Sequence, residues 1–313
     1  MTGSVREVYR ADGLAPPGLT TAMLCRWEHG PTRPGLDYIH ALDFYAQRYS
    51  HYPPRALAAE VSRCRSLLIG HGDTNTEARH IIGWLSALLG NLAHHTDDSA
   101  GALIHLSTAA RIGTEIGHAH LTGWSLGAQS MVAHARHRPT QALDLADQAA
   151  QHAHTPLHRA QITAWCRLRP LAALGRTEEL ATATTQARHH MDAAQERPGR
   201  FGFDQAEFHL HLAEAHLSAG NPAAAAAHAQ TSLAHKRAGS PGWAAATVVH
   251  ARAHAAQRQG QDAVAVASSA LEAIPAGQLR ATTRGRLTAL VRDLEGYHPA
   301  QGLRAMVHEH GQA

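Results

Sequence analysis

The chain has 313 residues, 44% of them hydrophobic, with 28 Lys plus Arg against 25 Asp plus Glu and a formal charge of +3. The hydrophobic share excludes a disordered chain, and the mild charge by itself marks no concentrated basic face. Cys25, Cys64 and Cys166 are odd in number and widely spaced, which excludes a disulfide framework or a zinc ribbon and suits a reducing cytoplasm.

No apolar run reaches the roughly eighteen residues that a membrane helix needs, and no secretory segment opens the chain, so the expectation is a cytoplasmic protein without membrane contact. Aromatics are only 5% while Ala is abundant, a composition that suits closely packed helices. With no long β-branched alternating run, the fold class is read as all-α.

In chain order, VREVYRADGL (5–14) supplies one short helix, and Pro16, Pro17 and Gly18 break it. Thr20 caps a helix from Thr21 to His29, which Gly30 and Pro31 terminate. The PTRPG loop leads to a helix over Leu36–Tyr49 with Ile39, Leu42 and either Tyr45 or Ala46 on its apolar face. Six arginines from Arg6 to Arg55 fall in this region, compatible with a local nucleic-acid contact or with a solvated surface.

The stretch GLTTAMLCRWEHGPTRPGLDYIHAL resembles the second half of a Cro/C1-type helix-turn-helix domain. Arg26, Trp27, Glu28 and Gly30 match the end of the recognition helix, Pro34 the loop, and Leu36, Tyr38 and Leu42 the following helix. The resemblance implies that Thr20, Thr21 and Met23 face base edges of duplex DNA while Arg26, Thr32 and Arg33 face phosphates. The family has two helices ahead of this one, so the unit, placed at 1–50, is read as short of one helix at its N-terminus.

Tyr52-Pro53-Pro54 reads as a linker, with a helix over 55–68 completing a segment at 51–76. From 77 onward the chain reads as helical hairpins. Trp84, Trp124 and Trp165 recur 40 and then 41 residues apart, and self-similarity on that scale marks a repeat array. The hairpins are placed at 77–94 with 98–116, 119–136 with 139–153, 157–174 with 177–195, 204–219 with 222–238, and 242–258 with 261–273. Closing helices follow at 277–294 and 299–309. The array resembles a right-handed tetratricopeptide-like solenoid, with a period of about 38–45 residues against the family's roughly 34.

The front end and the array together resemble actinobacterial Cro/C1-type (XRE-like) regulators with a C-terminal tetratricopeptide-like domain. That resemblance implies a dimeric transcriptional regulator whose array senses a small molecule, peptide or protein. The alternatives from other classes are an interaction module that has lost DNA binding and an enzyme using the groove.

The groove candidates are Trp84, Asn91, Trp124, Gln129, Trp165, Arg167, Arg169, Phe203, Asp204, His211 and Trp243. The tryptophans equally suit packing between repeats. Arg167 and Arg169, on a helix otherwise rich in Ala and Leu, suit a carboxylate or phosphate, and Pro170 is expected to kink that helix. His250 and His254 have the i, i+4 spacing of metal ligands, but no third ligand completes a site. No phosphate-binding glycine loop or nucleophile elbow occurs, and no cofactor is expected. Most of the 27 histidines, His134, His137, His152, His154, His189 and His190 among them, are read as standing on wet helix faces.

Overall fold

A computed structural model describes residues 53–69, 76–195 and 202–312. The readings of the front end, including Thr20, Thr21, Met23, Arg26, Thr32 and Arg33, lie outside the described residues. Within them the protein is all-helical. After α1 (Pro54–Ile69), the first two hairpins are α2 (Thr76–His95) with α3 (Ser99–Glu115) and α4 (Ala119–Ala135) with α5 (Pro139–Ala150). In the third, α6 is Pro156–Gln161 and Leu168–Ala173 joined by a π-helical turn, Ile162–Arg167, and is followed by α7 (Thr177–Ala193). The fourth and fifth are α8 (Gln205–Ser218) with α9 (Pro222–Ala234) and α10 (Pro241–Ala256) with α11 (Gly260–Ala273). The chain then adds α12 (Ala281–Asp293) and α13 (Ala300–Gln312).

Local chemistry explains the boundaries. Asp98, Thr155, Asp204, Asn221 and Ser240 each accept a hydrogen bond from a backbone N–H in the first turn of the helix they precede, satisfying an otherwise orphaned donor. Pro139, Pro156, Pro222 and Pro241 open helices where no N–H is needed. The hairpin turns need a left-handed residue. Gly175 and Gly220 provide it without strain, whereas His137 and Arg258 adopt φ of 58° and 63° against the preference of their side chains.

The helices sort into two layers. The first helices of the hairpins are apolar over much of their circumference: α2 buries Ile81, Trp84, Leu85, Leu88, Leu89 and Leu92, and α10 buries Val248, Val249 and a run of alanines. The second helices bury only a stripe, such as Ala102, Leu106 and Ala109 on α3. Apolar clusters follow one another from Leu57 on α1 to Leu303 on α13, each shared between neighbouring hairpins. Such stacking lets every unit bury a face it cannot cover alone.

Glycine permits the closest approach. A Cβ at Gly113 of α3 would lie 2.9 Å from the Thr122 backbone nitrogen of α4. Gly→Ala inside a helix ordinarily stabilises by about 0.5–1 kcal/mol. Here Gly113→Ala is expected to destabilise by about 1–3 kcal/mol, because backbone must move to admit the methyl. A urea midpoint that rose in this variant would contradict the packing.

No helix among the described residues is long and apolar enough to cross a membrane.

Candidate functional site: an arginine-rich cleft closed by α12

The first helices line one face of the array, and α12 lies across it. It packs along α10 and touches α2, where Thr282 Oγ1 stands 3.5 Å from His95 Nδ1. Between α12 and the array is a cleft of about 490 Å3. The sequence reading places this segment as a closing helix and does not foresee its turn into the concave face.

The centre of the cleft is ionic. Glu214, from the inner face of α8, is 8% exposed and meets guanidinium groups from two directions. Arg286 of α12 donates to Oε1 through Nε at 2.7 Å, with Nη2 2.5 Å from the same oxygen. Arg169 of α6 places Nη1 2.9 Å from Oε2, at an angle that makes an ion pair but not an aligned hydrogen bond. His211 Nδ1 lies 3.4 Å from Oε2. Burial alone would raise the Glu214 carboxyl, but Arg169 and Arg286 outweigh it and hold the group well below the carboxylate range.

The neighbouring acid, Glu207, is committed elsewhere, to Lys236. Burial works to raise its carboxyl too, and the Lys236 ammonium overcomes that and lowers it. Of the histidines that line the cleft, His94, His95 and His134 stay neutral at pH 7. Burial, reinforced by Arg169, pushes both His94 and His134 down to about 4, and burial with Arg280 beside it carries His95 well below its ordinary value. His134 was expected on a wet face, as were others; His137, His154 and His189 do lie exposed, whereas His134 turns its ring into the cleft wall.

Arg169 reaches this position through the π turn. Leu168 N–H bonds back to the Thr163 carbonyl, one residue beyond the α-helical partner. Pro170 cannot donate to the Cys166 carbonyl four residues back, and Ser130 Oγ stands 3.2 Å from that oxygen while donating at 2.7 Å to the Ala142 carbonyl. The distortion expected at Pro170 is therefore met by an inserted residue just upstream. π turns of this kind are frequent at functional sites.

Of the groove candidates, the cleft gathers Asn91, Trp124, Trp165, Arg169, Phe203 and His211. Five others stand apart. Trp84 is 1% exposed within the first apolar cluster, its Nε1 donating to His80 Nε2 at 2.9 Å. Gln129 accepts from Ser107 at the surface, and Asp204 caps α8. Trp243 packs on the apolar layer of α10–α13. Arg167, two residues before Arg169, faces the outer side and pairs with Asp147 of α5 at 2.6 Å.

Glu214 and Arg286 were missed by reasoning from sequence. The available signal was one acidic residue inside the otherwise apolar and histidine-rich run FHLHLAEAHL, which needs a buried cation wherever it packs inward.

Among the described residues no group of three or more His, Cys, Asp or Glu side chains is placed to hold a metal ion. Burial drives the Cys166 thiol well above its ordinary pKa, so it packs as a small apolar group and offers no thiolate at neutral pH. Compared with known proteins, the chain matches no family model and no curated protein.

Proposed function

We propose that the chain is a cytoplasmic, dimeric DNA-binding transcriptional regulator whose helical array is its sensing unit. The RWEHGPTRPG segment supports the DNA-binding half of this reading. The observation that carries the sensing half is the cleft around Glu214: a partly open, partly apolar volume with ionic groups from α6, α8 and α12 converging on it. A cleft of this size fits a small molecule. Because α12 packs on α10 and reaches α2 across the first helices, a bulky protein or extended peptide is the poorer occupant. An occupant that touches both α12 and the hairpins has a different affinity for any state in which the two separate, and it would thereby bias how two DNA-binding units are held.

The resemblance puts Arg33 on a phosphate. Arg33→Ala is expected to weaken binding about equally on all DNA sequences and to reduce the slope of log K against log salt by about one. Fluorescence anisotropy with a labelled duplex from upstream of the protein's own gene measures both quantities. An unchanged slope would remove Arg33 from the interface.

A further inference from the structure

The cleft's charges do not balance. Arg169 and Arg286 converge on a single carboxylate, and Glu207, the next acid, is held by Lys236. The surplus guanidinium is not spread into water, since Arg169 is 7% exposed. Nor is its hydrogen bonding complete. Arg169 Nε and His134 Nδ1 are both buried without a partner, and Glu214 Oε2 has no aligned donor. A buried guanidinium without full compensation is costly, and an added oxyanion would relieve it with charge-assisted hydrogen bonds. Beside these groups the wall is aromatic, with Trp165 and Phe203 both lining the cleft.

We infer that the cleft binds a small amphipathic oxyanion, a carboxylate or phosphate monoester on an apolar or aromatic body, with Arg169 and Arg286 holding the anion and Trp165 and Phe203 the body. This deepens the sensing reading and rests on it for biological meaning, but the binding itself requires no DNA. Glu214 is the internal competitor for the same two guanidiniums. Removing its charge therefore strengthens binding of the external anion, a gain that misfolding cannot imitate.

The test is calorimetric titration of the full chain at pH 7.5 with 1-naphthoate, 1-naphthyl phosphate and the neutral isostere 1-naphthamide. At least one of the two acids is expected to bind at one per chain and at least tenfold more tightly than the amide, and the tighter acid identifies the headgroup. Arg286→Gln leaves a balanced Arg169–Glu214 pair and should abolish the preference. Glu214→Gln should enlarge the rise in melting temperature that the acid produces. Should Glu214→Gln fail to fold, Arg286→Gln decides alone. Equal binding of acid and amide, no binding of any probe, or a preference that survives Arg286→Gln would overturn the inference. Loss of DNA binding with acid binding intact would instead count against the regulator reading alone.

Discussion

Lowering the pH from 7 to 5 is expected to unfold much of this protein, well before its carboxylates titrate. Burial pushes His94, His134 and His228 down to about 4 and His158 to about 3, each from an ordinary value near 6.5. Neighbouring groups that would share positive charge reinforce each shift: Arg169 at His94 and His134, the His120 ring at His158, the His209 ring at His228. A histidine whose folded pKa is depressed contributes stability that is whole above about pH 6.5 and is lost as pH falls toward the folded value, because only the unfolded chain takes the proton. Each such group contributes a slope of up to about 1.4 kcal/mol per pH unit. Four together approach about 5 kcal/mol per unit, less the solvent screening at half-buried His228, against a total stability of about 5–15 kcal/mol. Glu207 and Glu214, held low by their partners, add to the loss only below their ordinary range. Urea midpoints at pH 7.5, 6.5, 5.5 and 4.5 should fall steeply and continuously. A midpoint constant between pH 7 and 5 would show that these histidines are protonated without loss of packing.

The second large effect concerns the ionic centre. Glu214→Ala strands two guanidiniums, one of them almost wholly buried, and is expected to cost about 3–5 kcal/mol. Arg169→Met leaves Glu214 still paired with Arg286 and should cost less. Combining Arg169→Met with Glu214→Leu replaces the buried pair by apolar groups of similar size, and the double variant should be more stable than the sum of the single changes by more than about 1 kcal/mol. Denaturant titration of the wild type, Arg169→Met, Glu214→Leu and the double variant gives the coupling directly. Additivity to within about 0.5 kcal/mol would mean that the two groups do not interact as the geometry has them.

The helical array was readable because its units are punctuated locally. The turns around Asp97, His137, Gly175, Gly220 and Arg258 fall where Gly, Pro, Asn and Asp interrupt the alanine-rich pattern, and α2 to α11 begin and end within a few residues of the expected positions. Caps and prolines act over four or five residues, which is the range a single sequence exposes. The site was legible only in part. Arg169 stood out as a charge on an apolar helix, but the same reasoning selected Arg167, and a π turn that inserts one residue decides which of them faces inward. The partners of Glu214 come from Arg169, 45 positions back, and from Arg286, 72 positions ahead. That pairing depends on α12 folding back across the concave face. No local pattern in ATTRGRLTALVRD announces the turn: Leu287 and Leu290 mark an apolar stripe, but which face of the array covers it, and that Arg286 then meets Glu214, depends on packing across distant helices.

The central claim, that the array serves a DNA-binding regulator, is tested most directly by the full chain's affinity for duplex DNA from upstream of its own gene, compared with a scrambled duplex, at 50 and 200 mM salt. Binding to the upstream duplex that is tighter by about 10³ or more and weakens steeply as salt rises is the expected result. No binding at 50 mM salt, or equal affinity for the scrambled duplex, would contradict it.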